Sequence, residues 1–425
     1  MRITQIYQNT QKTLKIIALC YKGRNAGNIE NHHKISKSLS ICYNKYMNKE
    51  MMLYIHIPFC VRKCAYCDFL SFAVEENTMQ RYLEVLLREV KEKGKEYRSK
   101  TISSIFIGGG TPSLLSGAQV KMLMDSVRGS FSVQEGAEIT IECNPGTLTE
   151  EKANAYYNAG INRISFGLQS SNDEELRLLG RIHTYHEFEN SYNLARKAGF
   201  TNINVDLMGA LPKQTKEGFL SSLEKVILHN PEHISMYSLI VEPGTPFYEK
   251  YSEGASFEED LPSEETERGI YYAARDVLKV HGYEQYEISN FAKTGYACKH
   301  NLGYWERKEY LGVGLGASSL IENRRFKNTE SLNTYLKSVF SPNELQELSI
   351  SEQMEEYMFL GLRKTGGVSI KKFQNLYGKK IETIYGTWIQ KMKKDGLLLE
   401  EGERLLLSLR GMDLANYVMQ GFLLE

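Results

Sequence analysis

Residues 57–69, IPFCVRKCAYCDF, set Cys60, Cys64 and Cys67 in a Cys-x3-Cys-x2-Cys pattern. Three thiolates can bind three irons of a cubane cluster and leave the fourth iron without a protein ligand. A metal position that stays open is one where a substrate or cofactor can bind directly. The pattern therefore predicts a [4Fe–4S] cluster that takes part in chemistry, whereas a site closed by four cysteines would mainly store or pass electrons.

The same cysteines admit two plainer interpretations. Cys64 and Cys67 alone could form a redox pair or half of a zinc site. A zinc site would need a second pair or two histidines, and the remaining cysteines are isolated in the sequence: Cys20, Cys42, Cys143 and Cys298. A redox pair would leave Cys60 superfluous. The spacing therefore favours the cluster over zinc or a redox pair, and few, grouped cysteines favour a reducing, cytoplasmic compartment over a disulfide framework.

Length and composition bound the class of protein. A chain of 425 residues should hold two or more domains, and 42 % apolar residues are consistent with a soluble enzyme. The formal net charge is zero, so the overall balance does not indicate nucleic acid or a membrane surface as a partner. No apolar stretch approaches the length of a transmembrane helix, which leaves peripheral contact through a partner as the membrane interaction that stays open.

Residues 1–50 differ in composition from the rest of the chain. Nine of them are Lys or Arg, against two acidic residues, Glu30 and Glu50. The apolar patch at residues 16–19 is too short for the core of a signal peptide. We predict a poorly ordered basic extension, and whether it belongs to the native protein or precedes a later start stays open. The candidate starts are Met47, Met51 and Met52.

From residue 53 onward, short apolar runs alternate with amphipathic helical patterns. The predicted strands are Leu53–Ile57, Ser104–Ile107, Glu138–Glu142, Arg163–Gly167, Asn202–Leu207 and His233–Leu239. The predicted helices include residues 78–98 and 116–128, and two that start at capping boxes, Thr147 with Glu150 and Thr184 with Glu187. Strands that alternate with helices pair in parallel. Residues 51–345 are therefore predicted to form an α/β fold, a partial (β/α)6 TIM-like barrel.

The ends of the predicted strands carry polar and glycine-rich residues. In barrels of this kind, functional groups gather at the carboxyl ends of the strands. The features that follow the six strands are the cysteine loop, Gly108–Pro112, Glu142, Gln169, Asp206 and Glu242–Pro246. Chance would not place all of them there, so we predict one functional rim.

Several of these residues have a chemical use and a plainer alternative. The glycines would let a ligand approach the backbone and expose N–H groups to an anion, or simply form a turn. Glu142 could pair with a ligand ammonium or ribose hydroxyls, or be solvated. Arg181 could clamp a carboxylate with two hydrogen bonds, or be an ordinary helix-end arginine. Asp206 lies in a buried-looking strand, where an unpaired carboxylate would be costly, so it should have a partner.

Five ordered stretches resemble the radical S-adenosylmethionine (radical SAM) superfamily, and within it the oxygen-independent coproporphyrinogen III dehydrogenase family. They are residues 53–60, 108–113, 163–170, 286–292 and 300–305, and the resemblance spans residues 52–425. It implies a [4Fe–4S] cluster on the three cysteines with SAM on the open iron. It implies SAM contacts from Tyr54, Gly109, Gly110, Thr111, Glu142, Gln169, Arg181 and Asp206.

One departure separates two branches of that family. The dehydrogenases carry a fourth cysteine two residues after the third, where this chain has Phe69. The Cys-Asp-Phe run is similar instead to the HemW-type heme-chaperone branch, whose His-Asn-x2-Tyr motif matches residues 300–304. The resemblance implies heme contacts from His300 and Tyr304, two side chains able to ligate heme iron. A hydrogen-bonded loop histidine is the plainer alternative. Ser318 stands where relatives often have histidine, which weakens a ligand-binding role for its loop.

Residues 346–425 lose the strand–helix alternation. Met354, Tyr357, Met358 and Leu362 form a helical stripe. Two further helices, at 369–377 and 381–394, precede a hairpin of residues 397–399 and 404–408. This order predicts a small winged-helix-like α+β domain. Its basic and acidic residues are equal in number, so we predict contact with the barrel or a protein partner and no nucleic acid.

Three functional hypotheses follow. The first is a heme chaperone that binds heme or porphyrin and passes it to an acceptor protein. The second is an oxygen-independent coproporphyrinogen III dehydrogenase that decarboxylates propionates through a 5′-deoxyadenosyl radical. The third is a regulator that binds nucleic acid with the winged helix. Phe69 favours the first over the second, and the neutral C-terminal charge disfavours the third. Whether SAM is cleaved or only bound, and so whether the protein is an enzyme, is left open.

Overall fold

The computed structural model describes residues 50–338, 340 and 343–424. The predicted basic extension therefore lies outside the described residues, apart from Glu50, which begins the first strand.

The centre of the molecule is a twelve-stranded sheet in which six parallel strands follow chain order. These are β1 (Glu50–Ile57), β2 (Thr101–Gly109), β3 (Ser132–Cys143), β4 (Arg163–Gln169), β5 (Ile203–Gly209) and β6 (His233–Ser238). The connecting helices are α1 (Glu76–Glu96), α2 (Gly117–Ser130), α3 (Glu150–Asn158), α4 (Asp173–Leu178), α5 (Tyr185–Lys197) and α6 (Lys216–Leu228). The six predicted strands and their parallel order are confirmed.

Shorter strands extend the sheet on both sides. Beyond α7 (Pro246–Tyr251) and α8 (Glu264–Val280), a hairpin of β7 (Glu284–Glu287) and β8 (Asn290–Ala292) pairs antiparallel with β6. Next to β1 come β9 (Tyr310–Val313), β10 (Ser318–Ile321), β11 (Arg324–Lys327) and β12 (Asn343–Glu347), with helices α9 (Lys299–Trp305) and α10 (Leu332–Tyr335). Since β7 and β12 stand at opposite ends of the strand order, the barrel is open, as predicted.

Side chains that alternate across each strand separate the core from a polar interior. On β1, Leu53, Ile55 and Ile57 join the main core beneath the helices, whereas Tyr54 and His56 point to the other face. The other parallel strands repeat this division. Their buried polar residues are Ser104, Glu138, Thr140, Glu142, Arg163, Ser165, Gln169, Asn204, Asp206, His233 and Ser235. Burying such groups stabilises a fold only when they are paired, so the interior is the part of the barrel where function is expected.

One predicted helix start is wrong. Thr149, not Thr147, caps α3, because its side chain accepts a hydrogen bond from the N–H of Lys152. Gly146 has a φ of 81°, and the chain turns there so that the Thr147 hydroxyl donates to the carbonyl of Asn144 at 2.7 Å. The capping box predicted at the start of α5 is confirmed.

The C-terminal part forms the predicted winged-helix arrangement. Its elements are α11 (Ile350–Gly361), β13 (Val368–Ser369), α12 (Ile370–Tyr377), α13 (Ile381–Lys394), β14 (Leu398–Glu401), β15 (Arg404–Leu407), α14 (Leu409–Asp413) and α15 (Ala415–Gln420). The three strands pair antiparallel in the order β13-β15-β14.

This domain packs against the interior side of the sheet. Tyr54, Phe106 and Trp305 share one apolar cluster with the domain's own core. An ion-paired group reinforces the contact: the buried carboxylate of Glu356 lies 2.7 Å from a guanidinium nitrogen of Arg307 and 2.7 Å from one of Arg325. The domain therefore covers part of the barrel opening.

Candidate cofactor site

The cysteine loop leaves the carboxyl end of β1 and is tied down at three points. The N–H of Cys60 donates to the carbonyl of Phe72, and the N–H of Phe72 donates to the carbonyl of Pro58, at 3.0 and 2.7 Å. Farther along, Ala65 donates to Leu179 after α4 and accepts from the first turn of α7. A loop with its backbone fixed to three neighbouring segments can present its thiols in a defined arrangement.

The three thiols fit the cluster that the pattern predicts. Among the described residues, none of the three cysteines forms a disulfide, and each is partly exposed. Cys60 Sγ accepts a hydrogen bond from the Thr111 hydroxyl at 3.4 Å, and Cys64 Sγ accepts one from the Arg181 guanidinium at 3.6 Å. Hydrogen bonds to cluster sulfurs help to set reduction potential. Within the part of the chain that the structure describes, no three His, Cys, Asp or Glu side chains converge on one metal ion. A cubane cluster does not need such a single-ion site, because each of three irons binds one thiolate.

The triple glycine allows close packing. The N–H groups of Gly109, Gly110 and Thr111, which could have been exposed to an anion, are bonded within the protein. Gly109 donates to the carboxylate of Glu142 at 3.0 Å, Gly110 to the carbonyl of Ile57 at 2.8 Å and Thr111 to that of Phe59 at 2.7 Å. These three donors are used within the protein, one of them on the Glu142 carboxylate. A Cβ on Gly110 would lie 2.5 Å from the Phe59 carbonyl oxygen, which is why this position requires glycine.

Arg181 lies beside the cluster loop and not on an exposed helix end. Its guanidinium donates to Asn144 Oδ1 at 2.9 Å and to the carbonyl of Gly167, and the side chain is buried. The Asn144 amide in turn donates to the Thr111 hydroxyl at 2.8 Å. A continuous network thus joins Arg181 through Asn144 and Thr111 to Cys60. The sequence analysis missed Asn144, although it follows β3 directly and the strand-end rule would have found it.

Gln169 ends β4 in a strained conformation. Its φ is 75°, which is uncommon for a residue with a Cβ and marks positions under functional constraint. The Tyr237 hydroxyl donates to its side-chain oxygen at 2.5 Å. Its amide nitrogen is buried and has no hydrogen-bond partner among the described residues. A buried donor without a partner is costly, so this nitrogen is suited to an acceptor on a bound molecule.

Asp206 has the partner that its burial required. The Asn204 amide donates to Asp206 Oδ1 at 2.8 Å, and both residues face the interior from β5. The opposite wall carries Tyr54, whose hydroxyl lies 2.8 Å from His56 Nδ1. Burial lowers the pKa of His56 to about 4, opposed by its hydrogen bond to the Leu70 carbonyl. The neutral ring therefore donates from Nε2 to Leu70 and accepts from Tyr54, a role for His56 that the sequence analysis missed.

The two residues of the predicted heme motif lie away from this rim. His300 lies in the first turn of α9 and is fully buried against β2, where Nδ1 lies 2.8 Å from Ser104 Oγ and Nε2 lies 3.3 Å from the Tyr304 hydroxyl. Burial, and next the positive charge of Arg163, lower the pKa of His300 to about 3. The structure thus brings the predicted cluster and SAM residues to one end of the barrel and keeps His300 as a neutral, hydrogen-bonded histidine in the interior.

Comparison with known proteins gives one consistent result. Residues 54–226 match the model of the radical SAM superfamily, and residues 348–414 match the HemN C-terminal domain. The heme chaperone HemW of Lactococcus lactis is 37 % identical over 381 residues, which cover 89 % of this chain and 99 % of that protein. The heme chaperone HemW of Bacillus subtilis is 38 % identical over 377 residues, 88 % of this chain and 99 % of that protein.

A solved structure agrees on the fold. The coproporphyrinogen III oxidase HemN of Escherichia coli, a radical SAM enzyme, superposes with a TM-score of 0.78 over 91 % of this chain and 93 % of that one. At 24 % identity this likeness concerns the fold alone. Among the described helices, none combines the length and apolar character that crossing a membrane demands.

Proposed function

Since the chain belongs to the family of HemW heme chaperones within the radical SAM superfamily, we propose that it binds heme and passes it to an acceptor protein. The observation that carries this proposal is the similarity to two HemW proteins over 99 % of their lengths. Phe69 supports the same branch, because it occupies the position of the dehydrogenases' fourth cysteine and is buried in place of a polar ligand. The alternative, a coproporphyrinogen III dehydrogenase, is not favoured.

The rim is proposed to hold the cofactors of the superfamily. Cys60, Cys64 and Cys67 would hold the [4Fe–4S] cluster. The proposed SAM contacts are Tyr54, Gly109, Gly110, Thr111, Glu142, Gln169, Arg181 and Asp206. When bound, the cluster supplies a low-potential electron and an open iron for the amino and carboxylate groups of SAM. The protein's own part is to fix the thiols, to orient Arg181 through Asn144, and to offer the Gln169 amide as a donor.

Heme is proposed to bind at His300 and Tyr304. A histidine must be neutral to ligate iron, and the lowered pKa of His300 keeps it so at every physiological pH. Of its two hydrogen bonds, the one to Tyr304 is longer, 3.3 Å against 2.8 Å to Ser104. Ligation would therefore exchange the Nε2–Tyr304 bond for an iron bond and keep Nδ1 on Ser104. The second contact is Tyr304 itself, which is only half-buried.

We also propose a reducing, cytoplasmic setting, in which free thiols can hold an oxygen-sensitive cluster. The partner would be a heme-acceptor protein. The domain of residues 346–425 has equal numbers of basic and acidic residues, so nucleic acid is not proposed as a partner.

The test separates chaperone from dehydrogenase. Protein with a reconstituted cluster is incubated anaerobically with SAM, a low-potential reductant and coproporphyrinogen III, and the products are weighed by mass spectrometry. We expect no loss of carboxyl groups. In parallel, hemin-loaded protein is mixed with a heme-free globin as a generic acceptor, and transfer is followed by the Soret band. Multiple-turnover formation of protoporphyrinogen, or absence of hemin binding, would contradict the chaperone proposal.

A matched pair of variants tests the heme residues. Tyr304→Phe removes the hydroxyl beside His300 and should alter hemin affinity and the Soret maximum. Tyr156→Phe removes a buried hydroxyl that donates to the carbonyl of Leu115 in the outer core and should change neither.

A further inference from the structure

A chain of hydrogen bonds starts at Asp206 and crosses the barrel interior through residues that the cofactor site does not use. It joins Asp206 to Asn204 at 2.8 Å, Asn204 to His233 at 2.5 Å and His233 to Tyr286 at 2.8 Å. It ends at the N–H of Cys298, which lies 3.3 Å from the Tyr286 hydroxyl. The chain therefore runs from β5 across β6 to the β7–β8 hairpin and on to the start of α9.

Chemistry fixes the direction of every proton in this chain. Burial, and next the charge of Arg163, lower the pKa of His233 well below its ordinary value, so the ring is neutral and carries one N–H. The Asn204 amide nitrogen must donate to the Asp206 carboxylate, so the Asn204 oxygen faces His233 and accepts from Nδ1. His233 Nε2 then accepts from the Tyr286 hydroxyl, because burial raises the pKa of Tyr286 and keeps it protonated.

A second donor makes the arrangement unique. The Ser235 hydroxyl donates to the same Asn204 oxygen at 3.1 Å, and the Asn204 nitrogen also donates to Ser165 Oγ at 2.8 Å. Rotating the Asn204 amide by half a turn would set its oxygen against the Asp206 carboxylate, acceptor against acceptor, and its nitrogen against the N–H of His233, donor against donor. The network consequently holds Asp206 in one orientation.

The two ends of the chain belong to the two proposed ligands. Asp206 is a proposed SAM contact, whereas Cys298 is the residue before α9, the helix that carries His300 and Tyr304. The start of this helix is held from the other side by Glu138 on β3, whose carboxylate accepts the N–H of His300 at 3.1 Å. Asp206 and the start of this helix are thus joined by one continuous set of hydrogen bonds.

We propose that Asn204, His233 and Tyr286 are positioning residues that couple the binding of SAM at Asp206 to the setting of α9. The inference rests on the proposed function, because it takes Asp206 as a SAM contact and His300 as a heme contact. SAM that engages Asp206 stabilises the present setting, in which His300 is bonded to Tyr304. Heme ligation breaks that bond, so SAM and heme each weaken the binding of the other by the same factor. SAM binding would then favour heme release.

The decisive variant is Tyr286→Phe, which keeps the ring and removes the hydroxyl that joins His233 to Cys298. Cluster-loaded full-length protein is titrated anaerobically with hemin, with and without saturating SAM, and the Soret band gives the two dissociation constants. In the wild type we expect SAM to raise the hemin dissociation constant about fivefold or more. In Tyr286→Phe the ratio of the hemin dissociation constant with SAM to that without SAM should fall to about one. SAM itself should bind about threefold to tenfold more weakly, as for one lost hydrogen bond.

Tyr283→Phe is the matched control. Tyr283 precedes the same hairpin, is buried, and donates its hydroxyl to the Pro231 carbonyl at 2.7 Å outside the network. Its loss should leave the ratio unchanged. If Tyr286→Phe does not fold, His233→Leu serves instead, since its side chain can neither donate to Asn204 nor accept from Tyr286. This variant should also bring the ratio of the hemin dissociation constants, with SAM to without SAM, to about one.

The outcomes distinguish this inference from the function on which it rests. A wild type that binds no hemin or no SAM overturns the proposed function together with the coupling. A wild type that binds both with a ratio of one overturns the coupling alone. So does a Tyr286→Phe protein with the wild-type ratio and wild-type SAM affinity.

Discussion

Replacing Gly110 with alanine tests how the fold holds the cluster loop. The new Cβ would lie 2.5 Å from the carbonyl oxygen of Phe59, 2.8 Å from its nitrogen and 2.9 Å from its carbonyl carbon. Ordinary contact begins at 3.4 Å, so the two backbones must separate by about 0.9 Å. Backbone atoms cannot rotate away as the end of a side chain can. Phe59 directly precedes Cys60, so the displacement reaches the first cluster ligand.

We expect Gly110→Ala to fold and to hold the cluster poorly. Overpacking costs about 1–3 kcal/mol, which the remaining core can absorb. Ligands of a functional site must stay within about 0.5 Å of their working positions, and the required shift exceeds this tolerance. If about 1.4 kcal/mol of the strain reaches the site, the cluster dissociates about tenfold more readily. Iron and acid-labile sulfide per chain, measured after anaerobic reconstitution, and the paramagnetic resonance spectrum of the reduced cluster with SAM report the effect.

Gly129→Ala provides the control for this substitution. Gly129 lies within α2, and a Cβ there meets nothing within 4 Å, so alanine should stabilise the helix by about 0.5–1 kcal/mol and leave the cluster alone. The reasoning would be refuted by a Gly110→Ala protein that keeps wild-type iron, sulfide and the SAM-induced spectral change.

Three further predictions address the cluster, the domain contact and acid stability. Changing the three loop cysteines to alanine together should remove the bound iron and leave the chain folded; unaltered iron content would contradict the cluster assignment. Glu356→Ala should lower the free energy of unfolding by about 3–5 kcal/mol, seen as a lower urea midpoint, because Arg307 and Arg325 lose the buried carboxylate that neutralises their charges, and a midpoint within error of wild type would refute it. His300→Gln should flatten the dependence of the unfolding free energy on acid pH. The pKa of His300 is about 3 in the folded state and 6.5 in the unfolded state. The wild type is therefore fully stabilised above pH 6.5, and its unfolding free energy falls by about 1.4 kcal/mol per pH unit as the pH falls toward 3. Equal slopes of unfolding free energy against pH in the two proteins would disprove a buried neutral His300.

The parallel strands could be predicted because each one carries its own evidence. Leu53, Ile55 and Ile57 are apolar and continuous with the core, and the strand is bounded by a turn-forming loop. Helix starts were predictable where a capping residue is unambiguous, as at Thr184. Thr147 and Thr149 are both possible capping residues, and the turn at Gly146 determines that Thr149 caps the helix. The local sequence pattern does not predict a backbone turn of that kind.

The outer strands could not be predicted, because they form by pairing with neighbouring strands and carry no strand pattern in their own residues. β12 consists of Asn343–Glu347, all exposed and, apart from Leu345, polar, and it pairs with β11 only because that strand presents an edge. β7 and β8 are short and hold Glu287 and Asn290 buried within the sheet. Sequence periodicity needs longer runs than these to separate a strand from a loop.

His300 marks the limit of reading a site from a motif. The motif names the residue, but its environment comes from Ser104 on a distant strand and from the carboxylate of Glu138. In the structure His300 is a hydrogen-bonded histidine, which is the plainer alternative. The heme proposal is compatible with this state, because it concerns the protein after heme has bound. Burial keeps the ring neutral and Ser104 fixes its orientation; under the heme proposal, the Tyr304 bond would open and the packing around the buried ring would move before Nε2 reached iron. Such a hydrogen bond contributes about 1 kcal/mol, a small cost beside a bond to a metal.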